Sequence, residues 1–253
     1  MRLTFLGTGT STGVPVIGCH CPTCMSSDPR DKRLRSSVLL EGDGQRVLID
    51  PGPDFRQQAL RAGITSLDAI LITHQHYDHV GGLDDVRPLG SIDIYADERS
   101  QEAIHRCLPY CFGDKYYPGA PVLTLHLIKG TEPWNIGPWT VVPLPVMHGK
   151  LPIYGFRIGD IAYMTDVKTI PESTYELLDG LDLLVLNGLR TEPHPTHLSI
   201  SEAVDVAARI GARRTLLTHL AHSAPKHEEL CAKLPGSVQP AYDGMIIDIY
   251  QKK

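Results

Sequence analysis

The chain has 253 residues, 42% apolar and 21% charged, enough for one large globular domain or two small ones. Its net charge of −5 weighs against an extended electrostatic surface for nucleic acid, but not against a small phosphate substrate whose charge local metal ions can meet. No apolar stretch is long enough to cross a bilayer, and residues 1–7 lack the apolar segment and cleavage site of a secretory leader, so the expectation is a cytoplasmic protein with reduced cysteines.

Arg2 to Leu6 predicts a first strand, stopped by Gly7-Thr8-Gly9-Thr10-Ser11-Thr12-Gly13. Three glycines suggest a phosphate cradle, but no Gly-Lys-Ser/Thr follows and Val14-Pro15-Val16 does not start a helix. A tight turn near the site is the better reading, with a place at the substrate mouth as the alternative. Next, Cys19-His20-Cys21-Pro22-Thr23-Cys24 puts three thiols in one short loop (residues 18–25), which suits tetrahedral zinc. A fourth ligand is needed; His20 is the neighbouring candidate, and a more distant one comes late in the chain. Cys107, Cys111 and Cys231 have no such grouping and read as packing residues or incidental thiols.

Ser36–Glu41 and Gln45–Asp50 predict a hairpin around Gly42-Asp43-Gly44, with the buried run Val47-Leu48-Ile49 ending at Asp50-Pro51-Gly52. A helix over Asp54–Ala62 is closed by Gly63. The strand Leu67–Ile72 then delivers Thr73-His74-Gln75-His76-Tyr77-Asp78-His79, followed by Gly81-Gly82. Histidines at i and i+2 share one side of an extended chain, so His74 and His76 can grip one cation. Asp78 and His79 start the next turn and can hold a second. The motif sits at the C-terminal end of a strand, where open α/β sheets place ligands. Asp84 and Asp85 are either acceptors that orient these imidazoles or solvated helix charges.

Further on, Ile92–Ala96 predicts a strand and Glu98–Cys107 a helix. Residues 109–121, with Tyr110, Phe112, Tyr116 and Tyr117, form an irregular loop that packs on itself or walls a pocket. Strands follow over Val122–Ile128, Trp139–Val142, Ile153–Ile158 and Ile161–Met164. His148 lies just beyond Pro143-Leu144-Pro145-Val146-Met147, and Asp166 just beyond Tyr163-Met164-Thr165. Asp182–Leu186 is a buried strand, Ser201–Ile210 a helix capped by Gly211, and Arg214–Thr218 a strand delivering His219. Met245–Tyr250 closes a sheet. The two halves repeat one pattern with no low-complexity linker between them. This predicts a single α/β domain over residues 1–253, two packed sheets with helices outside.

His74, His76, Asp78, His79, His148, Asp166 and His219 all fall at or just after strand ends. Nitrogen and carboxylate donors in that number suit two divalent ions that keep open positions, the mark of a catalytic centre. Two such ions can share a hydroxide and bring the pKa of bound water to roughly 7. No grouping of Ser, Lys or Cys offers a rival nucleophile.

These residues together resemble the metallo-β-lactamase-fold hydrolases, from Phe5-Leu6-Gly7-Thr8-Gly9 through His74-x-His76-x-Asp78-His79 to Thr218-His219. Thr196-His197-Leu198-Ser199 with Glu202-Ala203 is similar to the phosphodiesterase branch that includes the tRNA 3′-processing endonucleases. The loop of Cys19, Cys21 and Cys24, with His222 three residues after His219, is more narrowly similar to the PhnP phosphodiesterases of the carbon–phosphorus lyase (phosphonate) pathway. The resemblance implies a four-layer αββα sandwich of two mixed sheets. It implies that His74, His76 and His148 hold one Zn²⁺ or Mn²⁺, that Asp78, His79 and His219 hold the other, and that Asp166 bridges. It implies a structural Zn²⁺ on Cys19, Cys21, Cys24 and His222. His197, with Asp78, is then catalytic, His197 as phosphate contact and proton donor to the leaving oxygen. His20, His105, His126, His194 and His227 match no role and read as surface or packing residues. The implied partners are a small-molecule phosphodiester and a second copy of the chain, with no membrane. The same fold also serves tRNA 3′-processing endoribonucleases, thioesterases and lactonases, and the pyrroloquinoline quinone biosynthesis B protein has a similar cysteine loop. The acidic net charge and the lack of a long basic arm stand against tRNA, and His197 argues for phosphate.

Overall fold

Short apolar runs separated by glycine turns dominate the chain, and among the described residues they assemble into two sheets of seven strands each. The computed structural model describes residues 1–112 and 119–249. The first sheet holds β1 (Arg2–Gly7), β2 (Ser37–Gly42), β3 (Gln45–Ile49), β4 (Ala69–Leu71), β5 (Ser91–Ala96), β6 (Val122–Leu127) and, at its far edge, β14 (Ile246–Asp248). The second holds β7 (Trp134–Ile136), β8 (Trp139–His148), β9 (Leu151–Ile158), β10 (Ile161–Met164), β11 (Leu183–Asn187), β12 (Arg214–Thr218) and β13 (Val238–Pro240). Their spatial orders are β14-β1-β2-β3-β4-β5-β6 and β13-β12-β11-β10-β9-β8-β7. Each sheet begins with antiparallel pairs and ends in four parallel strands, β3 to β6 in one and β10 to β13 in the other. The repeat read in the sequence is thus a repeat of topology.

Side-chain alternation builds the layers. Ile49 and Leu71 point between the sheets and meet Phe156, Tyr163 and Val185. Leu48, Ile70 and Ile94 point the other way, onto Phe55 of α1 (Phe55–Ala62) and Ile104 of α3 (Glu98–Cys107). On the far side, Ala162, Leu184 and Leu217 pack on Ala203 and Ala207 of α5 (Ile200–Ile210). The result is the expected helix–sheet–sheet–helix sandwich of two mixed sheets. Among the described residues, no helix is long and apolar enough to cross a membrane.

Several bounds differ from the sequence reading. The strand expected over Trp139–Val142 runs on to His148 through Pro143 and Pro145. Proline is tolerated there because β7 pairs only with residues 139–141, so the prolines face an unpaired edge. β7, β13, α4 (Glu172–Tyr175) and α6 (His227–Lys233) were not anticipated; most are three or four residues long, too short for periodicity to register. Residues 113–118 of the aromatic loop and Tyr250 of the last predicted strand lie outside the described residues.

One close approach sets the position of the histidine motif. A Cβ on Gly52 would lie 2.1 Å from the Asp78 carbonyl oxygen, and one on Gly82 would lie 2.1 Å from the Gly52 carbonyl oxygen. The Gly82 N–H donates to the Pro51 carbonyl at 2.8 Å. The turn after β3 and the loop after β4 therefore touch backbone to backbone. Gly52→Ala is expected to push the two apart and cost roughly 1–3 kcal/mol of stability in urea unfolding.

Candidate metal centre

Parallel strands end on one side of each sheet, and the chemistry-bearing side chains collect there. β4 runs into Thr73 and His74. α2 (Tyr77–Val80) carries Asp78 and His79, β8 ends on His148, β10 leads to Asp166 and β12 to His219. The donor atoms fall into groups: His74, His76 and His148; Asp78, His79 and His219; and His74, His79 and Asp166. His74 Nε2 lies 2.9 Å from His76 Nδ1. Asp166 faces the second group, with Oδ2 3.4 Å from His79 Nε2 and Oδ1 3.2 Å from His219 Nε2, and it also groups with His148 and His197. Asp166 and His219 both hold left-handed backbone, φ 59° and 56°. That conformation is uncommon for residues with a Cβ and turns each side chain sharply off its strand.

Outer contacts decide which ring nitrogen faces inward. The Thr73 hydroxyl donates to Asp50 Oδ2 at 2.7 Å, so its oxygen is free to accept from His74 Nδ1–H at 3.0 Å, leaving His74 Nε2 bare. His79 Nδ1–H donates to Asp50 Oδ2 at 2.8 Å. His148 Nδ1–H faces the backbone carbonyls of Asp166 and Thr196, each at 2.9 Å. Of the two readings left open for Asp84 and Asp85, the solvated charge holds: half-buried Asp84 pairs with Arg87 and the Tyr110 hydroxyl, and Asp85 is exposed. The acceptor is Asp50, which the sequence reading left as a strand end because Asp-Pro-Gly reads as a turn. The available signal was a strand-end acid of the same kind as Asp166.

The donor set fits divalent cations. His79 Nε2 and both ring nitrogens of His219 are buried without a hydrogen-bond partner among the described residues, although carboxylate oxygens lie 3.2–3.7 Å away. Burial pushes the His79 imidazole down, but the carboxylates of Asp166, Asp50 and Asp78 hold it well above its ordinary value. Burial likewise pushes Asp166 up, while His219, His79 and His197 hold it well below the usual carboxylate range. Three acids around buried imidazoles are a demand for positive charge, which a divalent ion meets without a proton. His76 is exposed and opens the site to solvent.

His197 stands at the rim. Its Nε2 lies 3.0 Å from Asp166 Oδ1, and its ring stacks on His219 at 5.1 Å between centroids. Burial pushes its pKa down to about 4, against the pull of Asp166. His194, expected to be a packing residue, touches it: the two Nδ1 atoms are 3.1 Å apart.

A family model described as the beta-lactamase superfamily domain matches residues 45–220. The chain belongs to the beta-lactamase superfamily. Within it, the chain is 43% identical to a solved diphosphatase of the PhnP family, with a TM-score of 0.92 over 99% of this chain and 98% of that one. Zn²⁺-bound PqqB from Methylobacterium extorquens shares the fold at 20% identity and a TM-score of 0.82, covering 98% of this chain and 100% of that one. An octanoyltransferase from Porphyromonas gingivalis is 48% identical over 98% of this chain, a match that occupies 52% of that protein. A coenzyme PQQ synthesis protein B from Methylobacterium nodulans is 32% identical over 41% of this chain and 40% of its own length, so the chain spans about half or less of these curated relatives.

The fold of this superfamily member implies divalent metal binding at the cluster just described, and a second donor group lies beside it. His222 Nδ1 is 3.3 Å from Cys19 Sγ and 3.5 Å from Cys21 Sγ, and Cys24 completes the group; His20 is exposed and outside it. The Cys24 backbone N–H draws the Cys21 thiol well down, as a metal-binding thiolate needs, whereas burial pushes Cys24 up. This loop is tied to the catalytic side. Leu220 N–H donates to Thr8 O, Ala221 N–H to Leu189 O, and the Thr23 hydroxyl to Ala224 O. The glycine-rich turn is accordingly a packing turn that braces residues 219–222.

Two outcomes follow from these contacts. Asp50→Ala should weaken metal binding at the His/Asp cluster by roughly 10–100-fold, read by competition with a chromogenic chelator. Cys21→Ser should release one zinc equivalent and lower loading of the His/Asp cluster in the same sample by elemental analysis; full loading there would show that the loop does not anchor His219.

Proposed function

We propose that the chain is a metal-dependent hydrolase of a small phosphoric diester, with two divalent ions, Zn²⁺ or Mn²⁺, in the His/Asp cluster and one structural Zn²⁺ in the cysteine loop. The observation that carries this reading is His197, whose Nε2 lies 3.0 Å from an Asp166 oxygen and which groups with His148 and Asp166 beside the other donors. A proton donor at that place can meet the oxygen that leaves phosphorus. The diphosphatase 43% identical to this chain supports phosphorus as the reacting centre.

Divalent ions in such a donor set supply Lewis acidity, lowering the pKa of water and offsetting charge on a phosphoryl oxygen. The chain's own residues do the rest. Asp50, Thr73 and the Thr196 carbonyl fix the rings of His79, His74 and His148 with their bare nitrogens inward. Asp166 turns Oδ2 to His79 and Oδ1 to His219 and His197, and as a ligand it would be shared between the two ions. Water adds to phosphorus as the P–O bond to the leaving group breaks. Asp78, whose carboxyl burial pushes up but the imidazoles of His79 and His219 hold well below the usual carboxylate range, accepts a hydrogen bond from the attacking water; the proton that water releases passes to solvent, and His197 gives one to the departing oxygen.

Hydrolysis of an acyl thioester is the second reading. The octanoyltransferase name of the 48% identical relative favours it, although the match occupies only 52% of that protein. A panel run after metal reconstitution separates the two: bis-p-nitrophenyl phosphate, 2′,3′-cyclic nucleotides, a diphosphate diester, octanoyl thioester and precursor tRNA. The expected outcome is turnover of a phosphorus ester and none of the thioester; the reverse overturns the assignment. Asp166→Ala should lower turnover by roughly 100-fold or more, and near-wild-type turnover would sink the dinuclear mechanism.

A further inference from the structure

His194 is unexplained by the donor groups and lies in an odd setting. It begins the segment His194-Pro195-Thr196-His197, in which three side chains and a backbone carbonyl converge. The Thr196 backbone N–H donates to His194 Nδ1 at 3.3 Å, closing a three-residue turn around Pro195. The Thr196 hydroxyl lies 3.2 Å from that same nitrogen and 3.0 Å from His197 Nδ1. His194 Nδ1 itself lies 3.1 Å from His197 Nδ1, with the rings edge to face at 4.9 Å. The Thr196 carbonyl accepts from His148. The space is tight, since a Cβ on the neighbouring Gly149 would come within 2.8 Å of the Thr196 methyl.

His197 is thus held at both ends. Nε2 faces Asp166, and Nδ1 faces the pair formed by Thr196 and His194. An imidazole rotates freely about χ2 unless both ring edges are engaged, because its terminal torsion is broad. Removing the His194 contact would leave a single hydroxyl, free to turn, on the Nδ1 side.

We propose that His194 is a positioning residue: its Nδ1, fixed by the Thr196 N–H, holds the His197 ring so that Nε2 points at the leaving-group side of the site. This rests on the reading of His197 as the group that protonates the leaving oxygen. A misaimed donor matters most where the leaving group is a poor one. An alkoxide must receive a proton as it departs, whereas p-nitrophenoxide needs little help. A residue that only braced the loop would affect both equally, and through His148 would also lower metal content.

The test compares wild type, His194→Ala, His194→Asn and His197→Ala after metal loading, on a 2′,3′-cyclic nucleotide (ribose alkoxide) and on bis-p-nitrophenyl phosphate. His194→Ala is expected to lose about tenfold more kcat on the cyclic nucleotide than on the nitrophenyl diester, with KM little changed and bound metal equal to wild type. His194→Asn, whose Oδ1 can accept the Thr196 N–H, should recover most of that difference. An equal loss on both substrates, or a loss of metal, overturns the proposal. His197→Ala should show the same selectivity more strongly. If it does and His194→Ala does not, the inference about His194 alone is wrong. If His197→Ala is not selective, the acid assignment falls and this proposal falls with it.

Discussion

The site depends on one buried carboxylate. Asp50 is fully buried and accepts from the Thr73 N–H at 2.9 Å, the Thr73 hydroxyl at 2.7 Å and His79 at 2.8 Å. A carboxylate so far from water costs several kcal/mol unless its lone pairs are met. Every partner here comes from the β4 end and the motif that follows it. Those partners arrive only if β3 and β4 pair in the observed register, Ile49 opposite Leu71, and only if Gly52 lets the Asp78 carbonyl come close. Sheet register, turn geometry and the orientation of His79 are therefore one constraint. A slip of one residue would bury an unpaired acid and turn the imidazoles away together.

The two halves of the sandwich use the same corner for different ends. Asp50 follows β3, Asp166 follows β10, and each strand is the first of a parallel set of four. Both aspartates take φ 59°. In the first half the carboxylate turns into the protein and is satisfied by backbone and hydroxyl donors. In the second half Asn187, at the end of β11, clamps the chain after the aspartate, accepting from the Val167 N–H at 2.7 Å and donating to its carbonyl at 3.1 Å. With the backbone held that way, Asp166 accepts one hydroxyl, from Thr165 at 2.7 Å, and faces His79, His197 and His219. One corner anchors; its counterpart presents its carboxylate to the imidazoles.

Much of this was legible in the sequence, for a physical reason. Buried parallel strands read as apolar runs, and a polar residue that ends such a run stands at the rim where ligands bind. His74, His148, Asp166 and His219 all follow that rule, and the structure brings them together. Elsewhere the signature is masked or missing. Asp50 obeys the rule too, but Pro51 and Gly52 make it look like a turn. His194 sits in a segment with no periodicity, and only three-dimensional proximity gives it a partner. Asp84 and Asp85 drew attention by sequence nearness to the motif, yet the 3-10 turn over Leu83–Leu89 carries Asp84 outward to Arg87. Pro143 and Pro145 argued against a long β8 because the missing partner on that edge is not visible in one dimension.

The segment that carries His197 is tied down as closely as the strand ends that carry the other imidazoles. Residues 188–199 have no regular structure, yet their backbone is pinned at close intervals. Gly188 N–H donates to Thr218 O, Leu189 N–H to Leu198 O, Leu198 N–H to Val167 O and Ile200 N–H to Arg190 O. Ser199 and Glu202 form a capping box that fixes where α5 begins, and Lys168 ties Glu202 back to the segment after Asp166. His197 is thus two residues from a helix cap and one from a residue bonded to Val167, the neighbour of Asp166. The backbone thus places the His197 Cα beside Asp166, and the contacts of its two ring nitrogens set the direction of the ring. Such pinning is what the proposed proton donor would need, since a group of that kind must keep its place within fractions of an ångström. The loop that carries His197 is irregular because it has to join β11, β12, Asp166 and α5 at once, and that same joining holds the imidazole still.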